Sequence, residues 1–173
     1  MHQLILLRHA KAATPAPGMA DHDRPLTEAG RNAATAMGKA MRKAGLAPEV
    51  VLVSTALRTQ QTLECLQAAD VWDEWPNIDT LPLLYMAPPA IILDALHSLP
   101  ETARSALVIG HNPGLHELAL ALAGPLRPRP ELARLDDGYP TCSLAEFMVA
   151  QSWRQLKPGG AALTRFAIPR DLS

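Results

Sequence analysis

"LILLRHAKA", residues 4–12, decides the fold: four apolar residues run straight into Arg8 and His9. Successive side chains of a strand point to opposite faces, so a strand with one wet face alternates apolar with polar residues. This stretch does not alternate. It therefore reads as a strand covered on both faces, inside a parallel sheet, roughly Gln3 to Leu7.

Working outward, "VVLVS" (50–54) and "SALVIG" (105–110) repeat the buried pattern, and "IDTLPLL" (78–84) is a weaker version of it. Helical stretches lie between. One begins near Thr27, whose hydroxyl can cap it, with Glu28 at the positive end of the dipole. Its expected buried stripe is Ala29, Ala33, Met37, Ala40, Met41 and Ala44, and Gly45 is placed to end it. A second, 56–68, is capped by Ser54 or Thr55. A third is opened by Pro88 and Pro89 and carries Ile92, Leu93 and Leu96, and "LHELALALAG" is a fourth that stops at Gly124. Strand and helix thus alternate four times, which predicts a three-layer α/β fold with a mostly parallel central sheet flanked by helices. Beyond residue 124 the pattern changes. "ELARLDDG" reads as a short helix, while "LAEFMVA" (144–150) and "AALTRFAI" (161–168) form a C-terminal hairpin around "KPGG" that extends the sheet, one strand antiparallel.

A chain of 173 residues suits one domain, 1–173, able to bury about 70% of the surface its unfolded form exposes. Its formal net charge of −1 and the lack of any basic run argue against nucleic-acid and membrane partners. Aromatic residues make up only 4%, which offers no stacking platform for bases. The two cysteines, Cys65 and Cys142, have neither disulfide-framework nor metal spacing and read as buried thiols of a reducing compartment. The apolar run at the start is too short for a signal peptide or a membrane span, so a cytoplasmic location is expected.

In parallel α/β sheets, ligands bind beyond the carboxyl ends of the strands. The first strand delivers Arg8 and His9 there; the second, through the first turn of its helix, Arg58; the fourth, His111 and Asn112 at a helix N-terminus. No carboxylate is expected immediately beside them. The mixture suits a dianionic phosphoryl group: each charged hydrogen bond from an arginine fork is worth roughly 1.5–3 kcal/mol, and a helix N-terminus adds backbone N–H groups. A neutral histidine can also attack phosphorus.

Each residue also has an ordinary structural reading: Arg8 and His9 as a strand end, Arg58 as a solvated helix arginine, His111 as a cap. Their coincidence at three strand ends argues for a site. Other candidates fare worse. "DHD" (21–23) is a Pro/Gly-rich loop rather than a metal site, with Asp23 and Arg24 anchoring it. His111 and His116 are five apart, unlike the i, i+4 pair of a zinc helix. His2 and His97 have no chemical company, and Ser54 and Ser143 lack a neighbouring base. No metal and no cofactor are expected.

"LRHAKA", "DRPLTEAGR", "VLVSTALRTQQT" and "VIGHNPG", in that order, resemble the histidine phosphatase superfamily, and most nearly its SixA-like branch of small phosphohistidine phosphatases. The match runs from residue 3 to about 124, and "FAIPRDL" near the end also looks like that branch. The resemblance implies a phosphoglycerate mutase-like fold and a phosphohistidine intermediate on His9. It further implies phosphate binding by Arg8 and Arg58, with His111 as the second pocket histidine and no metal.

The sequence departs from much of the superfamily where others carry a glutamate general acid. That region reads "LPLLYMAPP", with no carboxylate between Asp79 and Asp94. An alkoxide leaving group needs a proton, whereas a phosphohistidine protonated on its ring leaves as neutral imidazole, so the departure favours a phosphoramidate. Asp23, Glu28 and Glu117 remain candidate acids. The short stretch between strands three and four leaves no room for a capping insertion, and an open site suits phosphate carried on another protein, such as a phosphorelay component. The proline-rich 125–130 stretch is a candidate rim for that partner. Two alternatives stand: a small-molecule phosphomonoesterase, and a non-catalytic phospho-group binder. The sequence sets no oligomeric state, and a monomer is compatible with it.

Overall fold

The run at residues 4–7 lies deep inside a six-stranded sheet in the computed structural model of the protein, which describes residues 1–124 and 130–172. In chain order the strands are β1 (His2–Arg8), β2 (Val50–Ser54), β3 (Asn77–Leu81), β4 (Ser105–Gly110), β5 (Leu144–Val149) and β6 (Ala161–Ala167). Across the sheet they run β3-β2-β4-β1-β5-β6. The helices are α1 (Glu28–Lys43), α2 (Leu57–Ala68), α3 (Pro89–His97), α4 (Gly114–Ala123) and α5 (Pro130–Asp137).

The failure of β1 to alternate has the expected cause. Leu4 and Leu6 join Leu52, Val108 and Phe147 in a core with Leu96 of α3, Leu118 of α4 and Leu135 of α5. Ile5 and Leu7 point the other way, into a core with Val53, Ile109, Met37 and Met41 of α1 and Leu66 of α2. Burying one such side chain is worth roughly 1.5–3 kcal/mol, and β1 buries four. Its neighbours, however, differ: β4 is parallel to it and β5 antiparallel. The strand marks the seam of a mixed sheet rather than the middle of a parallel one. The hairpin β5–β6 extends the sheet beyond that seam.

Several local expectations change. Strand β3 ends at Leu81, earlier than 84, because Pro82 has no N–H for the ladder and opens a 3-10 turn over Pro82–Leu84. Neither Ser54 nor Thr55 caps α2; Ala56 holds that position without a side-chain bond. Thr27 does cap α1, accepting from the Gly30 amide at 3.0 Å. The buried stripe of α1 is rotated from the expected one, to Gly30, Ala34, Met37, Gly38 and Met41, with Ala29 exposed. Glycine explains the rotation: a Cβ on Gly30 would lie 2.2 Å from the Lys11 carbonyl oxygen, so the helix turns its bare positions inward and packs directly on backbone.

A similar close approach seats α4. A Cβ on Gly114 would stand 1.8 Å from the Ala87 carbonyl oxygen, with backbone rather than a pliable side chain in the way. Gly114→Ala should therefore cost about 3 kcal/mol, at the upper end of overpacking penalties, measured as a lowered denaturant midpoint.

His2 and His97, without chemical neighbours in sequence, are fastening groups. Their rings bond the carbonyls of Gln151 (3.0 Å) and Leu156 (2.7 Å), tying down the segment after β5. His116 bonds the Leu135 carbonyl at 2.7 Å and joins α4 to α5. Cys65 and Cys142 are buried free thiols, and burial pushes the Cys142 thiol up to about 12. The rim expected at 125–130 falls, apart from Pro130, outside the described residues. Among the described residues no helix is long and apolar enough to cross a membrane.

Candidate active site

The carboxyl ends of β1, β2 and β4 open on one side of the sheet. Where β1 ends, the backbone is pinned from two directions: the His9 amide donates to the Gly110 carbonyl at 3.1 Å, and the Cys142 amide donates to the His9 carbonyl at 2.9 Å. The ring of His9 is fixed too. Its Nδ1 lies 2.7 Å from the Ala10 carbonyl oxygen, which can only accept, so Nδ1 carries the proton. Among the described residues Nε2 has no hydrogen-bond partner and keeps a free lone pair. Burial first, then the Arg58 and Arg8 guanidiniums, lowers the His9 pKa to about 4. The ring is thus neutral near pH 7, in the tautomer that exposes a nucleophilic Nε2.

Arg58 stands in the first turn of α2 and is 2% exposed. Its expected freedom from carboxylates is overturned. Nη1 donates to the Asp21 carbonyl at 2.8 Å and Nη2 to the Asp21 carboxylate at 3.1 Å. Asp21 comes from the β1–α1 loop, in a 3-10 turn over Asp21–Asp23. Tyr85 and Arg24 also donate to its carboxylate, at 2.5 and 2.9 Å. Those two bonds, with the Arg58 charge, hold the Asp21 carboxyl far below the usual carboxylate range. Arg24 anchors the loop as expected, through the Ala13 carbonyl at 2.8 Å, but its acidic partner is Asp21 rather than Asp23.

His111 follows β4, and its ring centroid is 5.3 Å from that of His9. Tyr85 stands edge-on to it at 5.5 Å. Burial, then Arg58, lowers the His111 pKa to about 3. Ser54, dismissed from sequence for want of a base, has one: its Oγ lies 2.7 Å from His111 Nε2. Arg8 Nη1 and Asn112 Nδ2 donate to the same acceptor, the Tyr139 carbonyl, at 2.9 and 2.8 Å. Asn112 thereby orients the loop that holds Arg8.

Among the described residues, five buried side-chain polar atoms lack a partner: Arg8 Nε, Arg58 Nε, His111 Nδ1, Asn112 Oδ1 and Ser143 Oγ. Four belong to residues singled out from sequence, and the fifth residue gives its carbonyl to the Arg8 amide. Buried polar atoms normally find partners, so such a concentration marks a place built for something other than self-satisfaction. Three of the five are nitrogens of cationic or imidazole side chains, a donor set for an oxyanion. The candidate acids fare differently. The Asp23 side chain is 70% exposed and faces His22, while Glu28 and Glu117 are exposed and bond none of these residues.

Three site residues escaped the sequence reading: Asp21, Ser54 and Tyr85. Ser54 was within reach, since it precedes Arg58 by one helical turn at the end of the same strand. Tyr85 and Asp21 meet across the pocket mouth from distant loops, and no local pattern links them.

The two depressed histidines give the molecule an acid-side weakness. Unfolded, each titrates near 6.5; folded, near 4 and 3. Between those limits the unfolded chain binds more protons, so stability is full above pH 6.5 and falls as pH drops towards 4, by up to about 1.4 kcal/mol per pH unit for each ring. Denaturant midpoints across pH 7 to 4 should show this decline, and replacing His111 by glutamine should lessen it.

A model of the histidine phosphatase superfamily (branch 1) matches residues 4–80. An uncharacterized protein of Mycobacterium tuberculosis is 35% identical over 165 residues, 95% of this chain and 100% of its own length. A protein designated SixA from Nakamurella multipartitia superposes with a TM-score of 0.85 at 29% identity, over 97% of this chain and 96% of the other. The protein histidine phosphatase SixA, solved with tungstate, gives 0.79 at 26% identity, over 99% of each chain.

Proposed function

Since the chain belongs to the histidine phosphatase superfamily, we propose that it removes phosphate from phosphohistidine on a protein, with His9 as nucleophile. The observation that carries this reading is the chemistry of the pocket. A neutral His9 with Nε2 free stands among Arg8, Arg58 and His111, and the carboxylate in contact with this group, Asp21, is held ionised by three donors. Such a carboxylate has no proton to give. The loop after β3 supplies Tyr85 and Met86 to Arg58 instead of an acid.

The reaction then runs in two displacements. The His9 Nε2 lone pair attacks phosphorus, the N–P bond of the substrate breaks, and its electron pair leaves with a ring already protonated on the other nitrogen, as neutral imidazole. Phosphorylated His9 keeps its Nδ1 proton, and the Ala10 carbonyl stabilises the resulting cationic ring. Water next attacks phosphorus on the opposite side; the Nε2–P bond breaks and its electrons return to His9, while the water proton passes to solvent as orthophosphate departs. Arg8, Arg58 and His111 bind the equatorial oxygens throughout, with Asn112 orienting Arg8 through Tyr139. The SixA solved with tungstate, a tetrahedral oxyanion, is consistent with an oxyanion pocket in this branch.

Rates on a phosphohistidine protein and on alkyl phosphate esters, compared in one preparation, test the substrate class. Phosphohistidine should be cleaved at least about 100-fold faster, since general acid catalysis is typically worth 10²–10⁴-fold and this pocket has none to offer an ester. Equal rates would overturn the assignment in favour of a small-molecule phosphomonoesterase.

A further inference from the structure

The contact between Ser54 and His111 bears on a question that phosphate chemistry leaves open: which face of the second histidine is a donor. Ser54 is fully buried at the end of β2. Its Oγ accepts the Ala56 amide at 3.3 Å and lies 2.7 Å from His111 Nε2. A hydroxyl has one proton to donate, and among the described residues the Ser54 hydroxyl has no acceptor besides that Nε2. If Nε2 carried a proton, the Ser54 oxygen would receive two N–H groups while its own proton stayed buried and unbonded, at a cost of about 1–3 kcal/mol. We propose that Ser54 is a positioning residue that donates to His111 Nε2 and so fixes the proton of His111 on Nδ1, turning an N–H toward the phosphoryl oxygens.

The remaining geometry agrees. His111 Nδ1, like the Nε atoms of Arg8 and Arg58, is buried and has no partner among the described residues. With the proton on Nδ1 all three are donors. With the proton on Nε2, Nδ1 would instead present a lone pair among groups that gather an oxyanion, and would repel it. The ring is neutral, so only one nitrogen can donate, and the choice of tautomer decides whether His111 assists or opposes binding. The two histidines share this device with different acceptors and donors: the Ala10 carbonyl draws the His9 proton to Nδ1 and frees Nε2 for attack, whereas the Ser54 hydroxyl occupies the His111 Nε2 and leaves Nδ1–H for binding. Ser54 and Arg58, a strand end and the following helical turn, form one unit that supplies a donor and orients another.

The effect on catalysis rests on the phosphatase reading, but the tautomer does not. Long-range ¹H–¹⁵N correlation spectra of the histidine rings, in the full chain at pH 7, read the tautomer without any substrate. His111 should be Nδ1–H in the wild type and in Ser54→Thr, which keeps the hydroxyl, and should lose that state in Ser54→Ala. Inorganic phosphate should bind about tenfold more weakly to Ser54→Ala, with Ser54→Thr close to wild type. An Nε2–H tautomer in the wild type, or an Nδ1–H tautomer that persists in a folded Ser54→Ala, would overturn the proposal. Turnover failing on phosphohistidine while the tautomer switches as described would instead count against the phosphatase reading and leave Ser54's role standing.

Discussion

Replacing His9 by alanine is expected to abolish turnover while leaving a folded protein that still binds phosphate. The fold should survive because the strand end is held by main-chain bonds, from the His9 amide to Gly110 and from the Cys142 amide to the His9 carbonyl, which alanine retains. Lost are the Nε2 lone pair and the ring's bond to the Ala10 carbonyl. Among the described residues no other pocket group is poised to take over the role proposed for His9: His111 Nε2 is engaged by Ser54, and Ser143 Oγ has no base bonded to it. Phosphate affinity should change by no more than about tenfold, since a neutral hydrogen bond contributes about 1 kcal/mol and tenfold is 1.4. Calorimetric titration of inorganic phosphate beside an activity assay separates the two effects. Residual turnover at a tenth of the wild-type rate would rule out His9 as nucleophile.

The second large effect is expected at Arg58. Its guanidinium is almost wholly buried, and its outer nitrogens already grip Asp21 through both the carbonyl and the carboxylate. The fork is therefore preorganised before any phosphoryl group arrives, and in the proposed reaction it acts on transition-state charge without first having to find its place. Arg58→Ala should lower kcat by about 10²–10³-fold, the loss seen on removing one preorganised oxyanion donor. Arg58→Lys should recover little of it, because a lysine cannot hold both Asp21 groups and still present a second planar donor pair. Single-turnover formation of the phosphoenzyme is the step to measure. A lysine variant at near wild-type rate would mean that charge alone, without the fork, is what the site requires.

Much of this arrangement was legible in the sequence, for identifiable reasons. Arg8 and His9 are neighbours at the end of an apolar strand, so their placement follows once that strand is read as doubly covered. Arg58 and His111 follow the same logic at β2 and β4. What escaped was set by tertiary contacts. Hydrophobic periodicity puts Ala29, Ala33, Ala40 and Ala44 on the α1 stripe beside Met37 and Met41, but the helix packs through Gly30 and Gly38, whose lack of a side chain makes hydrophobicity patterns blind to them. The seam at β1 depends on where a distant hairpin docks. Asp21 lies in a loop whose composition reads as solvated, and only its path across the pocket brings it onto Arg58 and Tyr85. That path also brings a carboxylate beside the pocket, yet its three donors keep it ionised and so remove it as an acid.

The phosphoryl group proposed to ride on His9 is tested most directly by rapid quenching with a ³²P-labelled phosphohistidine protein. The chain should accumulate label on the peptide containing residues 4–12, labile to acid and stable to base, forming and decaying at rates that account for steady-state turnover. His9→Ala should carry none. Hydrolysis at the normal rate with no such adduct, or an adduct that persists in His9→Ala, would contradict the account.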